Sequence, residues 1–498
     1  MKKINFLWVL PATLLVTACA SSPEAPVIQR QTASMRELVE DVPRILQEVR
    51  EGFNEGNCTS FIQRYTEQVY RKPANYYFPK NPAEVRELDT KADELIRNLF
   101  DMRLAMQEKF KGFQNPSVDC VNDVRKALRY TRFAEEALII WHLERKRRVE
   151  KYTEIFGHSW PYSMYSSPNF RFQTGDLLLL RGQTFISAAI ARVGDSDSQF
   201  SHLAIVGEDP KGEKYVVESL IETGTIKTKL KDYLKKLEVR AVIYRHPDSA
   251  LARRAGIAVY QKANAAHLRG ETIPYDFTMN PNDHSQLFCA ELVQMAYELA
   301  SRNEIRLPRY KTSFYRLKGK QLLKELSMDV ASTFAPADIE LDPRFRLVAE
   351  WRYIPTLRKT KAQDAIYTSV FDWMEKRNYE LKPEPISWLG GNLASMIRKI
   401  GLFPDKMQKH MSPSLLKTVI RLSYLSEALE NHLLPVEAEY YQKNGHSMSF
   451  SDMLRDLEKF RSEDCSRYEQ SIQNRGPSDE QSVRSDFHWI FRGGENCR

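Results

Sequence analysis

Apolar residues recur at steps of three and four through the first third of the chain, which is the spacing of one face of an α-helix. One such run starts after Asn81 and Pro82, which suit a helix cap and a first-turn proline, and continues to Phe110. A second run begins near Val121. We expect the two helices to pack as an antiparallel hairpin within a helical bundle over residues 35–160.

Between residues 170 and 245 the pattern changes to short apolar runs bounded by Gly, Asp, Ser and Pro, which is typical of β-strands. The runs are 176–180, 202–206, 215–218 and 239–244. Helical spacing then returns at 253–269 and 291–300. The sequence therefore predicts an α+β central domain with an antiparallel sheet over residues 170–310, an extension packed on it over 311–355, and a C-terminal helical domain over 356–498.

The N-terminus has the form of an export signal, because two lysines precede an apolar stretch. Val16-Thr17-Ala18-Cys19 matches the bacterial lipobox, so we interpret residues 1–19 as a lipoprotein signal peptide with a lipidated Cys19 and residues 20–34 as a tether. The alternative is cleavage at a small-x-small site, which would release an unlipidated protein. By the lipoprotein sorting rule, Ala20 after the cysteine indicates the periplasmic face of the outer membrane of a Gram-negative bacterium.

The composition fits folded domains, since 42% of the 498 residues are hydrophobic and 28% are charged. The formal charge of +8 falls to +6 when residues 1–18, with their two lysines, are removed. The basic cluster 145–148 is flanked by Glu144 and Glu150, which favours a solvated helix face. Nucleic acid is not expected as a partner, and the membrane is expected as one only through the N-terminal lipid.

Six cysteines are present, and an exported protein can form disulfides. If Cys19 carries lipid, five thiols remain and one is unpaired. By position, the disulfide candidates are Cys58 with Cys120 and Cys465 with Cys497, which leaves Cys289 alone. Spacing by itself does not fix this connectivity.

The local signatures of phosphate loops, zinc knuckles, zincins and serine hydrolases are absent, so nucleotide-binding, zincin and serine-hydrolase functions have no local support. We expect no cofactor. Cys289 instead opens an apolar helical run, where free amide groups and the helix dipole favour a thiolate. This position suits a nucleophile. The alternative is that Cys289 is a small buried hydrophobic residue, a common fate of a free cysteine.

His202 starts one predicted strand and Glu218 ends the next, with a turn between them. If the hairpin is centred on Pro210, the two side chains lie directly opposite each other on one face, where Glu218 could orient the imidazole for Cys289. His284 is the rival base because it is close to Cys289 in the sequence. For Glu291 we prefer a structural role in the first helical turn, since a carboxylate would oppose thiolate formation.

At these residues the sequence resembles the circularly permuted NlpC-type papain-like cysteine hydrolases of the YiiX/YebB-like branch. The matching segments are Gly175-Asp176-Leu177-Leu178, 201–206, Glu218, Tyr275-Asp276-Phe277, 288–293 and 336–340. The order His, acid, Cys is the permuted one, and the resemblance covers about residues 170–355.

The resemblance implies a papain-like central domain without metal, whose catalytic residues are Cys289, His202 and Glu218. Tyr275 and Asp276 match a family signature near the site and are supporting residues only. We therefore expect an envelope-anchored cysteine hydrolase of the amidase or peptidase type, which forms an acyl-thioester and acts on peptidoglycan, a peptide or a lipid. The alternatives are a lipid acyl hydrolase or acyltransferase of the same fold, as the lecithin-retinol acyltransferase relatives allow, and a non-catalytic scaffolding lipoprotein.

Overall fold

The computed structural model describes residues 35–66, 68, 82–146, 162–195, 198–236, 238–280, 283–317, 321–326, 328, 330–382, 413–473 and 485–494. The predicted signal peptide, the lipobox with Cys19, the tether, part of the basic cluster and Cys497 lie outside these residues.

The N-terminal region is a helical bundle. Its helices are α1 (Met35–Gly52), α2 (Cys58–Tyr65), α3 (Pro82–Lys111) and α4 (Val118–Lys146). The apolar stripe of α3 is buried against α1 and α4, which explains why its hydrophobic residues recur every third or fourth position. A disulfide joins Cys58 on α2 to Cys120 on α4, as predicted. Cys465 is also disulfide-bonded, but Cys497 falls in the undescribed C-terminal end.

The central region combines a sheet with short helices. Its elements are β1 (Tyr162–Ser166), β2 (Leu177–Arg181), α5 (Phe185–Arg192), β3 (His202–Glu208), β4 (Lys214–Leu220), β5 (Gly224–Lys229), α6 (Leu230–Tyr233), β6 (Arg240–Arg245), α7 (Ser249–Leu268), α8 (Cys289–Ser301), β7 (Thr312–Ser313), α9 (Gln321–Glu325), β8 (Ser332–Thr333) and β9 (Arg346–Arg352).

Seven of the described strands form one antiparallel sheet in the order β1-β9-β6-β2-β3-β4-β5. The central strand β2 is buried along its whole length, because apolar side chains cover both of its faces. Helices α7 and α8 contribute to the cover of one face and pack against β3. This packing places the first turn of α8 beside the first residues of β3.

Gly175 shows why the segment before β2 requires glycine. Its φ is +92°, and a Cβ atom there would lie 2.2 Å from the carbonyl oxygen of Ala252 on α7. The next residue, Asp176, accepts two hydrogen bonds from the Arg245 guanidinium at 2.7 and 2.8 Å. The Gly-Asp pair therefore fixes the start of β2 against α7 and β6.

Three strands of the sheet lie outside the runs read from the sequence: β1, β5 and β9. The expectation of an extension merely packed on the central domain is incomplete, because β9 lies inside the sheet between β1 and β6. Its sequence contains Glu350 and Arg352, which are fully buried and form ion pairs with groups from the helical bundle.

The C-terminal region is again mostly helical. Its elements are α10 (Ile354–Arg377), β10 (Glu380–Leu381), α11 (Pro413–Asn444), α12 (Phe450–Gln473) and β11 (Phe491–Arg492). Helix α10 packs against α11, α12 and α5. The predicted class, an α+β domain with helical regions on both sides, is confirmed.

A continuous chain of buried ion pairs joins the three regions. It alternates four arginines and four carboxylates, so that its formal charges balance. In order along the chain of pairs, the members are Glu135, Arg103, Glu350, Arg352, Glu136, Arg240, Asp364 and Arg181. We call this set the buried ion chain; it connects α3 and α4 to three strands and to α10.

Across the described residues, we find no helix that is both long and apolar enough to span a membrane.

Candidate active site

Cys289 is the first residue of α8 and is 5% exposed. It is the one free cysteine among those that the structure describes. Phe288 has extended backbone angles and acts as the helix cap, so the Cys289 amide has no acceptor within the helix. An N–H group in this position can stabilise an oxyanion that forms beside the thiol.

The segment before Cys289 is attached to the strand that carries Glu218. Leu287 donates its amide to the Pro274 carbonyl at 2.9 Å, and its own carbonyl accepts a 2.5 Å hydrogen bond from the Ser219 hydroxyl. Because Ser219 directly follows Glu218 on β4, these bonds fix the start of α8 relative to the carboxylate.

His202 and Glu218 meet, but not in the predicted register. The hairpin is centred on Lys211 rather than Pro210, since Ile205 pairs with Val217 and Glu208 with Lys214. The predicted direct pairing was therefore wrong, because the turn extends to Glu213. The pairing differs by two residues, and an even difference keeps both side chains on one face. His202 Nε2 lies 2.9 Å from Glu218 Oε2, a contact between diagonal neighbours.

Cys289 acts on the imidazole of His202 through hydrogen bonding and charge, and both raise the pKa of that ring. Since Nε2 faces Glu218, Nδ1 is the ring nitrogen left for the thiol. Burial disfavours the charged ring, but the bonds to Cys289 and Glu218 outweigh it and raise the pKa of His202 to about 10. A ring that has taken a proton from the thiol therefore holds it at neutral pH.

Glu218 is fully buried and makes further contacts that the sequence analysis missed. Lys236 donates to Oε1 at 2.9 Å, and the Tyr233 hydroxyl donates to Oε2 at 3.4 Å. Burial alone would raise the pKa of Glu218, but the hydrogen bond and charge of His202, assisted by Lys236, lower it. The carboxylate thus remains charged. Lys236 lies in a lysine-rich stretch that resembles an ordinary solvated surface.

His284, the rival base, lies between two other acids. Its Nδ1 is 3.0 Å from Glu291 Oε1 and its Nε2 is 3.1 Å from Glu298 Oε2. Glu291 also accepts a hydrogen bond from the Phe288 amide, which agrees with the structural role in the first helical turn. Burial raises the pKa of Glu291 to about 9, so at neutral pH this acid is uncharged and does not oppose a thiolate.

Tyr275 is buried and faces the same cavity as Cys289. Burial, and next the charge of Cys289, keep the pKa of Tyr275 well above its usual range. Asp276 accepts hydrogen bonds from the Thr278 amide and hydroxyl and from the Asn280 amide, so it stabilises the turn that follows. Tyr275 is thus close to the thiol, whereas these hydrogen bonds of Asp276 hold its own loop.

A cavity of about 160 Å³ opens beside Cys289. Phe288 and Tyr275 lie near the thiol, and other parts of the wall come from α5, from described residues between Thr312 and Pro336, and from helices α10 and α11. The C-terminal helical region therefore contributes to the site, which the sequence did not indicate. No cluster of three metal-binding side chains occurs in the described part of the chain.

Comparison with known proteins agrees with this geometry. Residues 171–349 match a family model described as permuted papain-like amidase enzyme, YaeF/YiiX, C92 family. The match covers six of the seven strands of the sheet, β2 to β6 and the first part of β9, together with α7 and α8, and it includes Cys289, His202 and Glu218. The central domain has the permuted papain-like fold that was predicted. Neither the curated proteins nor the solved structures gave a significant match. The family is one of papain-like amidases and peptidases, which are hydrolases.

Proposed function

We propose that this protein is a cysteine hydrolase in which Cys289 is the nucleophile, His202 the general base and acid, and Glu218 the residue that orients His202. The observation that carries the proposal is the 2.9 Å contact of the His202 imidazole with a buried carboxylate, at the end of a strand on which the helix of Cys289 packs. The raised pKa of His202, to which Cys289 contributes, supports it. A structural cysteine would not require this arrangement, since burial alone satisfies its packing.

The reaction would proceed through a thioester. His202 takes the thiol proton, and the Cys289 sulfur attacks the carbonyl carbon of an amide or ester. The resulting oxyanion lies within reach of the Cys289 amide. The carbon–nitrogen or carbon–oxygen bond then breaks, and His202 gives its proton to the departing amine or alcohol. Water adds to the thioester with His202 again as base, which releases the acid and restores the thiol.

The proposal also includes the predicted lipid anchor on Cys19. Lipid on Cys19 would attach the enzyme to the periplasmic face of the outer membrane and bring it close to envelope substrates. Growth with radiolabelled fatty acid tests the anchor: label should appear on the wild-type protein and be lost in Cys19→Ala. Label retained in that variant would contradict the assignment.

The chemistry is tested by alkylation and by turnover. An iodoacetamide probe should label the purified protein at Cys289, and Cys289→Ala should lose both labelling and hydrolysis of an activated acyl ester. His202→Ala should retain the thiol but react much more slowly at neutral pH, because the base is missing. Lys235→Met is the control, since Lys235 pairs with Asp232 on the surface. Full activity of Cys289→Ala would refute the enzyme proposal and favour a scaffolding role.

A further inference from the structure

Exposed arginines of this protein often pair with an acid, as Arg253 does with Glu208 and Arg377 with Glu458. A group of six does not. These arginines are exposed, and among the described residues they have no carboxylate within ion-pair distance. They are Arg171, Arg254, Arg302, Arg306, Arg309 and Arg346, and we call them the arginine face.

Hydrogen bonds join the segments that carry these arginines. The Arg254 side chain on α7 donates to the Ala300 carbonyl at 3.3 Å, two residues before Arg302. Arg306 follows four residues later, and its carbonyl accepts a 2.9 Å hydrogen bond from the Arg344 guanidinium. The end of α8 is therefore connected to α7 on one side and to the segment before β9 on the other.

The segment before β9 continues this surface. Asp342 accepts the Arg309 amide at 3.0 Å. Arg346 begins β9 and pairs with Arg245 at the end of β6, and the Arg245 guanidinium donates to the Arg171 carbonyl at 2.8 Å. The arginine face is thus one continuous surface, at the end of the sheet opposite the candidate active site.

One large apolar side chain is exposed among these arginines. Leu299 is 55% exposed near the end of α8, whereas Leu292 and Val293 on the same helix are fully buried. The exposed acids nearby include Asp248, which caps α7, and Glu304. The arginines outnumber them, so this surface combines an excess of positive charge with an exposed leucine.

This combination fits a surface that carries phosphate groups. A guanidinium binds a phosphate through two parallel hydrogen bonds, and an unpaired arginine breaks no ion pair when it does so. The six arginines lie at helix ends, strand ends and loops, and none lines the cavity beside Cys289, so they match an extended array of anions better than one small ligand. Leu299 adds an apolar group that can enter a headgroup region.

We infer that the arginine face docks the protein on a bilayer that contains anionic phospholipids. This inference does not depend on the proposed hydrolysis. The predicted lipid on Cys19 would bring the protein to a membrane, and the arginine face would then orient it. Helix α8 has 13 residues and runs from Cys289 to the arginine face, so the thiol lies about 18 Å along the helix from the docked end.

The first experiment measures co-sedimentation of the full chain with vesicles. The protein is the Cys19→Ala variant, which carries no lipid at that position, so binding must come from the polypeptide. The vesicles are phosphatidylcholine alone, or equal parts of phosphatidylcholine and phosphatidylglycerol. We expect tighter binding to the anionic vesicles and a loss of this difference at high salt, because salt screens exposed charges. Equal binding to both kinds of vesicle at low salt would overturn the inference.

Paired variants test whether the arginine face is responsible. Arg306→Gln with Arg346→Gln removes two charges whose side chains make no hydrogen bond to described residues. Each arginine near an anionic surface raises the affinity about fivefold, so this double variant should bind anionic vesicles roughly 20- to 30-fold more weakly. The matched control is Arg86→Gln with Arg97→Gln, which removes two exposed, unpaired arginines from α3 and should bind as the wild type does.

Thermal unfolding should be the same for the two double variants, since all four side chains are exposed. Equal losses of vesicle binding in both would show that total charge, and not this surface, determines binding, and would overturn the inference.

Two further measurements separate a bilayer from other anionic partners. Leu299→Ser should weaken binding several-fold, and the loss should persist at high salt because an apolar contact is not screened. Polyglutamate offers negative charge without phosphate or an apolar layer, so it should displace the protein from anionic vesicles only weakly. Displacement by polyglutamate as effective as that by added anionic vesicles would favour an acidic protein partner and overturn the bilayer assignment.

Discussion

Substituting Glu218 tests how the site orients its imidazole. Glu218→Gln keeps the shape of the side chain and removes its charge. In the wild type, Oε2 faces His202 Nε2 at 2.9 Å and Oε1 faces Lys236 Nζ at 2.9 Å, so both oxygens accept hydrogen bonds. An amide has only one oxygen and cannot accept on both sides.

Either orientation of the introduced amide is therefore unfavourable. If its oxygen faces Lys236, its NH₂ group faces His202, which must then accept at Nε2 and carry its proton on Nδ1, toward the thiol. A ring in that tautomer cannot take the thiol proton. If the NH₂ group instead faces Lys236, it opposes an ammonium group. We expect kcat/KM to fall by about 10²–10⁴, the range for loss of an oriented acid-base group.

The second variant makes the prediction specific. Lys236→Met removes the ammonium group, so in the double variant the glutamine oxygen can turn toward His202. Glu218→Gln with Lys236→Met should therefore be at least about tenfold more active than Glu218→Gln alone, a coupling of about 1.4 kcal/mol. Lys236→Met by itself should have a small effect, because Lys236 is about half exposed. The assay is hydrolysis of an activated ester. Wild-type activity in Glu218→Gln, or a double variant no faster than the single one, would refute the reasoning.

Two further predictions concern pH and stability. Cys289 and Glu218 raise the pKa of His202 to about 10, so the contribution of this residue to stability is complete below about pH 6.5 and is lost as the pH rises through 10. Activity should decline over the same alkaline range, and a pH–rate profile that stays level there would contradict this. Glu136→Gln should lower the free energy of unfolding in urea by about 3–5 kcal/mol, because it removes a buried negative charge that Arg240 and Arg352 share. The exposed control Glu271→Gln should cost at most about 1 kcal/mol, and equal effects of the two variants would oppose a role for the buried ion chain.

The residues of the candidate site could be singled out from the sequence because each depends on a local pattern. Cys289 stands where an apolar helical run begins, which is visible in the sequence. The shared face of His202 and Glu218 follows from the twofold period of a strand, and it is unchanged when pairing differs by two residues. The directly opposite partner depends on the length of the turn, so that part of the prediction was wrong.

The remaining parts of the fold depend on contacts that are distant in the sequence. Strand β9 contains Glu350 and Arg352, which read as surface residues until Arg103 and Glu136 from the helical bundle are placed beside them. The edge strand β5 has a single large apolar residue, Ile226, and so gives a weak strand pattern. The role of Lys236 likewise depends on its contact with Glu218, which the sequence does not show.

Helix α10 links the stability of the molecule to its cavity. Asp364 on this helix pairs with Arg181 and Arg240 in the buried ion chain, while Tyr367 and Phe371 line the cavity beside Cys289. Residues separated by three and four positions lie on one face of a helix, so the same face performs both roles. Removing the C-terminal region would take a carboxylate away from two buried arginines and would also open the cavity to water. Loss of activity on truncation would therefore not separate folding from substrate binding, whereas single substitutions on the cavity wall do.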